Sequence, residues 1–308
     1  MAQSMVKIPS DFGNINIKHV SVVGTFNGIV LLVLEDTLLC THMILFNPFT
    51  QVYNKVPDPP ARTSVRPRQG RFYESDLHIG FGATPDDFKI VRFFEAQESL
   101  NKVKSYSCYV FSVKKSLWSK PNYFTQNFRF HNDVGMFLNG FLYWIIRVHD
   151  DTDSTKLILA LDIKKIALST INVPNRCGFC RYSNLTRYRQ WKYCEAILGK
   201  VHGCLCIINL GSDGLMFNLW VMKEQGVGNS WSIAHSFRLQ IVGLFLPICI
   251  LDNGKILFLD MSKNKKVIIY DTSNDSNKEF IFPAMPSMTV YGTEYVQTLV
   301  SPSNMCSV

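Results

Sequence analysis

The sequence predicts an all-β chain, a β-propeller of about five four-stranded blades plus a partial or incompletely closed sixth. Three observations carry this. Apolar runs of helical period are almost absent, and short apolar or alternating runs recur instead, bounded by Gly, Pro, Asn and Asp. The runs come in groups of four, each group about 40 residues long, the spacing of propeller blades. Three groups open with Asn-Gly between two apolar runs, the strongest short hairpin signal, because both residues accept φ > 0 in a type I′ turn.

The groups follow in order. The first reads VVGTF, Asn27-Gly28, IVLLVL, LLCTHMILF, Asn47-Pro48 and QVYNKV, stopped by Pro57. The second holds LHIGFG, FKIVRFF, SYSCYVFSV and LWSK within residues 77–120. The third, within 131–174, runs MFL, Asn139-Gly140, FLYWIIRV, the polar DDTDST, LILALDI, a tight turn at Lys164-Lys165, and ALSTINV, stopped by Pro174. The fourth, within 193–237, is YCEAILG, GCLCIINL, an LWVM run and a WSIAHSF run. Its last two runs are expected to form an outer hairpin whose Trp220 and Trp231 pack between blades, since aromatic side chains at strand positions are usually buried. The fifth is PICIL, Asn253-Gly254, KILFL, KVIIYD and EFIF, stopped by Pro283. A sixth blade would have only EYVQTLV (294–300) and the first residues of the chain to draw on, so closure of the ring is left open.

Bulk composition narrows the class. The 308 residues are 47% hydrophobic and 18% charged, which is a folded chain and not a disordered one. The longest apolar run, IVGLFLPICIL (241–251), falls short of the ~20 residues a membrane helix needs. MAQSMVKIPSDFGN has no apolar signal-peptide core, so the expected location is the cytoplasm, the nucleus or both. Nine cysteines, an odd number scattered through apolar runs, read as reduced thiols used as small hydrophobes. A net charge of +8 permits an acidic partner without demanding nucleic acid.

Eleven stretches taken together resemble one family. They are GTFNGIVLL (24–32), ILFNPFTQVYNKVP (44–57), IGFGATPDDFKIVR (79–92), YVFSVKKSLW (109–118), FLNGFLYWI (137–145), LALDIKKIALSTINVP (159–174), LGKVHGCLCII (198–208), LWVMKEQGVGNSW (219–231), LDNGKILFL (251–259), VIIYD (267–271) and EYVQTLV (294–300). In this order they resemble the type 1, kelch-like F-box-associated propeller of plant F-box proteins. The resemblance implies a module that captures a target protein for a Skp–cullin–F-box ubiquitin ligase. It implies no cofactor and no fixed ligand-contact residue. In that family an F-box of about 45 residues precedes the propeller and docks a Skp-family adaptor. Only 23 residues precede Gly24 here, without a Leu/Pro-rich helical triplet, so no F-box is expected. A Skp-family adaptor would then be a partner only through an F-box supplied elsewhere. The alternative is a free-standing interaction domain, or a truncated product that competes with full-length receptors for a target. The expected division is an extension over 1–19, the propeller over 20–302 and a tail over 303–308.

Candidate binding residues fall in two basic segments between blades. Arg62, Arg66, Arg68 and Arg71 lie in DPPARTSVRPRQGR, and Arg181, Tyr182, Arg187, Tyr188, Arg189 and Trp191 lie in NRCGFCRYSNLTRYRQWK. Arg, Tyr and Trp on long loops of a rigid frame suit protein recognition. They also suit stacking with phosphate contact, so a nucleic-acid-binding propeller is the disfavoured alternative. Solvated linkers would have the same composition. Cys177 and Cys180, with Cys194, His202, Cys204 and Cys206, could supply zinc's four ligands, but Cys204 and Cys206 sit in an apolar strand and no metal is expected. An enzyme is not expected either. The Asp86-Asp87 and Asp150-Asp151-Thr152-Asp153 clusters read as hairpin tips, and no nucleophile elbow, zinc helix or phosphate loop motif is present.

Overall fold

The computed structural model describes residues 12, 15–38, 40–60, 78–96, 105–125, 128–149, 154–174, 196–211, 216–239, 245–260, 266–281 and 293–302. These residues form twenty-two strands and no α-helix, the strand-only architecture expected of a propeller. They separate into two compact units, Met1–Ser169 with Glu294–Val308, and Thr170–Thr293.

In the first unit β1 (Ile17–Phe26), β2 (Ile29–Asp36), β3 (Thr41–Phe46) and β4 (Tyr53–Val56) pair in chain order. Asn27 and Gly28 close the first hairpin at φ 47° and 72°, the type I′ turn their sequence predicts. β2 is apolar on both faces because both faces are covered. Ile29, Leu31 and Val33 join Met43, Leu45, Ile79, Phe81 and Phe111 in one core. Val30, Leu32 and Leu34 join Ile44 and Phe46 in another, sealed by Phe12, whose ring stands edge-on to Phe46 (5.9 Å) and Tyr53 (5.0 Å). Each such side chain contributes about 1.5–3 kcal/mol on burial.

The second sheet is β5 (His78–Thr84), β6 (Asp87–Ala96), β7 (Ser105–Ser112) and an outer strand in two pieces, β8 (Leu117–Trp118) and β9 (Asn122–Thr125). The break falls at Pro121, which has no N–H to give a ladder. The third sheet has a split first strand, β10 (Phe128–Phe130) and β11 (Val134–Leu138), both paired with β12 (Phe141–His149), followed by β13 (Ser154–Asp162) and β14 (Ala167–Asn172). The sequence reading has no strand over NYFTQNFRF, so β9 and β10 are additions to it. Splitting the strand lets β11 form a parallel bridge to β5 through Val134–Ile79 and Gly135–Gly80, merging the two sheets. Glycine is required there. A Cβ on Gly135 would lie 2.3 Å from the Trp144 ring, and one on Gly80 2.7 Å from Leu142.

The second unit holds β15 (Ile197–Val201), β16 (Cys204–Leu210), β17 (Phe217–Met222) and β18 (Trp231–Phe237), then β19 (Phe245–Ile250), β20 (Lys255–Asp260), β21 (Lys266–Asp271) and β22 (Ser276–Ile281). Cys206, Ile208, Phe217, Leu219, Phe237, Ile256, Phe258 and Tyr270 share its core. β17 and β18 are the outer hairpin the sequence predicts. Trp220 is buried and donates to Asn209 Oδ1 (3.0 Å), while the half-buried Trp231 donates to the Asn172 carbonyl (2.9 Å). Pro247 sits beside a bulge in the edge strand β19, where its missing N–H is tolerated. Asn253-Gly254 departs from the type I′ expectation. Gly254 alone has positive φ (81°), with Gly254 N–H donating to Leu251 O and Leu251 N–H to Lys255 O, a three-residue loop with a left-handed last residue.

Four outer hairpins share a turn that no common sequence announces: NPFTQ, SVKKS, DIKKI and DTSND. The first residue of each accepts from backbone N–H groups two or three residues on: Asn47 from Phe49 and Thr50, Ser112 from Lys115, Asp162 from Lys164 and Lys165, Asp271 from Ser273. The fifth residue, Gln51, Ser116, Ile166 or Asp275, is left-handed (φ 50–61°).

The EYVQTLV strand expected near the C-terminus joins no ladder. Residues 294–300 instead lie across the turns of the first sheet without regular structure. The buried Asn47 amide donates to the carbonyls of Thr298 (2.9 Å) and Val300 (2.6 Å), and the Thr25 hydroxyl donates to the Glu294 carbonyl. Gly28 makes room for it, since a Cβ there would sit 2.3 Å from Thr298 Cγ2. No helix among the described residues is long and apolar enough to cross a membrane.

Candidate partner-binding surface

Antiparallel order gives every sheet two unlike ends. At one, turns join first to second and third to fourth strands; at the other lie the joins of second to third strands and of one sheet to the next, the two basic segments among them. Loops on a rigid frame are where recognition residues concentrate, so the second end is the natural candidate. The predicted residues Arg62, Arg66, Arg68 and Arg71 belong to the connection from β4 to β5, and Arg181, Tyr182, Arg187, Tyr188, Arg189 and Trp191 to that from β14 to β15. All ten lie outside the described residues.

The described residues where β5, β6 and β11 reach that end form a compact aromatic and charged group in the first unit. His78 opens β5, stacks on Phe130 at 4.1 Å and sets Nδ1 3.6 Å from the half-exposed Asp133 carboxylate. Arg92, one step along the ladder, is only 5% exposed, with its guanidinium carbon 4.6 Å from the centre of the Phe94 ring. Phe94 stands edge-on to Tyr109 at 5.6 Å. Desolvation strengthens such a cation–π contact, and packing on the aromatic faces fixes the arginine. The sequence reading passes over Arg92, although its alternation with Ile90 and Phe94 in FKIVRFF puts it on their face of the strand. On the first sheet, Asp36 pairs with His42 (2.9 Å) and accepts from the N–H groups of Leu38 and Cys40. The His42 hydrogen bond is the main cause holding the Asp36 carboxyl below its ordinary pKa.

The cysteine cluster divides. Cys177, Cys180 and Cys194 lie outside the described residues. Cys206 is fully buried and its thiol is pushed far up by desolvation, which suits a core residue and not a thiolate ligand. Burial also pushes Cys108 up to about 12. His202 occupies the left-handed position of a tight turn (φ 49°) with Gly203. Asp87 works structurally, its carboxylate accepting from Lys114 N–H (2.9 Å), while Asp150, Asp151 and Asp153 lie outside the described residues.

Comparison with known proteins fits this frame. Residues 2–301 match the family described as F-box associated beta propeller domain. Among curated relatives, two F-box proteins of Arabidopsis thaliana are each 24% identical, over 86% and 83% of this chain and 67% and 63% of their own lengths. An F-box/kelch-repeat protein of Arabidopsis thaliana is 24% identical over 93% of this chain and 70% of its own. The chain thus spans about two thirds of the length of these relatives. Among solved structures, an uncharacterized protein of Listeria monocytogenes aligns over 84% of this chain and 81% of its own, at 10% identity and a TM-score of 0.43, too loose a likeness to carry an argument. With a family match across almost its whole length and an all-strand architecture in groups of four, this chain belongs to the F-box-associated β-propeller family.

Proposed function

We propose that the chain is the target-capturing module of an F-box-type substrate receptor, binding a protein and performing no chemistry on it. The observation that carries this reading is the family match over residues 2–301, together with relatives that are F-box proteins. In this reading the sheets are the frame, and affinity comes from arginine and aromatic anchors on the long connections: Arg62, Arg66, Arg68, Arg71, Arg181, Tyr182, Arg187, Tyr188, Arg189 and Trp191. Arg92 on Phe94 and His78 on Phe130 add described anchors of the same chemistry in this reading. Ubiquitination of the captured protein follows when the receptor is joined to a Skp-family adaptor and a cullin in the cytoplasm or nucleus. No cofactor enters.

Affinity capture of the tagged 308-residue chain from plant cells, with mass spectrometry of the eluate, tests the proposal. A reproducible set of proteins whose recovery drops when Arg181, Arg187 and Arg189 are replaced by Ala supports capture through the connections. Recovery of adaptor and cullin with them supports the link to the ligase. An eluate of chaperones alone would overturn the reading.

A further inference from the structure

The tight-turn end of the first unit carries its own charge pattern. SVKKS and DIKKI present Lys114-Lys115 and Lys164-Lys165 at the same positions of the same turn, one on the second sheet and one on the third, and all four side chains are exposed. The sheets are merged through the β5–β11 bridge, so the two tips are held on one scaffold. Lys89 joins them: it pairs with Ser112 at the base of the first tip, and its Nζ reaches the carbonyl of Ile163 (3.3 Å), next to Lys164.

Two of the nearby carboxylates are engaged by backbone N–H groups. Asp162 accepts from the N–H groups of Lys164 and Lys165 and lies 4.0 Å from Lys165 Nζ, while Asp87 accepts from Lys114 N–H. Asp86, exposed on the adjoining turn, offsets part of the field, leaving five ammonium groups against three carboxylates. The other tips of this turn type carry no lysine: Pro48-Phe49-Thr50 on the first sheet and Thr272-Ser273-Asn274 on the last. Beside the lysines stands Leu117, 65% exposed, an apolar contact that a nucleic-acid backbone has no use for.

We propose that these paired tips are a second docking face, which takes an acidic segment with an apolar residue beside its acidic groups, belonging to the protein that the long connections capture. The proposal rests on the capture reading above and adds to it where on the frame, and by what chemistry, part of the target is held. Carboxylates or phosphates would each be gripped as point charges by the ammonium groups, with Leu117 seating the apolar neighbour.

The test uses the full chain and two fluorescent peptides of equal length, one with four Glu around a Leu and one with phosphoserines in their place. The variant carries Lys114→Glu, Lys115→Glu, Lys164→Glu and Lys165→Glu. The control carries Lys18→Glu, Lys55→Glu, Lys223→Glu and Lys278→Glu, the same charge change at exposed sites elsewhere. Circular dichroism first verifies that both fold; if the variant does not, Lys114→Ala with Lys164→Ala replaces it. Binding weakened about tenfold or more in the variant and less than about twofold in the control supports the docking face. Preference between the peptides tells carboxylate from phosphate. Equal loss in both chains, no binding by the parent, or displacement of peptide by duplex DNA at lower concentration than by unlabelled peptide would overturn it. Capture from plant cells separates the two proposals: a variant that recovers the parent's full set of proteins sinks the docking face and leaves the capture reading standing, whereas a parent that recovers none sinks the capture reading whatever the peptides do.

Discussion

Asn47 offers the most direct quantitative test of how the first sheet is finished. It is fully buried, and its side chain makes four hydrogen bonds: Oδ1 accepts from Phe49 N–H (2.8 Å) and Thr50 N–H (3.2 Å), and Nδ2 donates to Thr298 O (2.9 Å) and Val300 O (2.6 Å). Each bond is worth about 0.5–1.5 kcal/mol net, and a buried group left unpaired costs about 1–3 kcal/mol. Water can reach the turn beside the half-exposed Phe49, so the lower part of the range applies. Asn47→Ala should therefore cost about 3 kcal/mol. With roughly 2.1 cal/mol/K of unfolding entropy per residue, 308 residues give about 1.5 °C per kcal/mol, so Tm should fall by about 5 °C. Asn47→Asp separates the two halves of the contact. It keeps the acceptor for the turn but sets a carboxylate against two carbonyl oxygens, so it should release residues 294–301 even where the turn survives. Thermal unfolding followed by circular dichroism gives the cost, and limited thermolysin digestion reports release through cleavage near the exposed Val296 and Leu299. An Asn47→Ala chain within about 0.5 kcal/mol of the parent, with unchanged cleavage in Asn47→Asp, would refute the account.

Three further outcomes are expected. Gly28→Ala and Gly140→Ala both place a side chain at positive φ, a strain of about 1–2 kcal/mol, but only Gly28 also meets Thr298 and the Val296 carbonyl, so its variant should lose clearly more stability in parallel urea titrations. Asp36 has its folded pKa lowered, so its contribution is present above the unfolded value and is lost as pH falls through the folded one; stability measured from pH 5 to pH 3 should fall less steeply in His42→Ala, where the main cause of the shift is gone, than in the parent. Iodoacetamide at pH 8 should label the exposed Cys40 of the native chain and spare Cys108 and Cys206, whose thiols burial keeps protonated; rapid labelling of Cys206 in a mass-spectrometric time course would contradict its place in the core.

Strand positions were legible wherever burial imposed a pattern and a turn residue punctuated it. IVLLVL and FLYWIIRV are apolar because both faces of those strands are covered, and Asn139-Gly140 takes its type I′ turn (φ 48° and 83°) because nothing else is cheaper there. What was not legible depended on partners far away in sequence. NYFTQNFRF hides two strands because no glycine separates them from their neighbours. EYVQTLV alternates like a strand, yet its carbonyls are taken by one asparagine side chain some 250 residues earlier instead of by a ladder. The outer turns escaped because their shared requirement is a short side-chain acceptor followed by a left-handed residue, which Asn, Ser and Asp can each begin and Gln, Ser, Ile or Asp can each end. Arg92 was passed over because a cation on an apolar face looks like noise until the Phe94 ring beneath it is seen. The two basic segments stay as composition gives them, since all ten of their candidate residues lie outside the described part of the chain.

The clasp between Asn47 and the segment around Thr298 has a consequence for synthesis. Among the sheets described here the first is translated ahead of the rest, but the groups that complete it stand 251 and 253 residues further along the chain. At roughly 5–20 residues per second, translation takes on the order of 12–50 s to supply them. Throughout that interval the Asn47 amide has water in place of the Thr298 and Val300 carbonyls, and the Gly28 turn is uncovered. An early sheet thus waits on a late segment, and its uncovered turns around Gly28 and Asn47 are the surface on which a chaperone would be expected to wait.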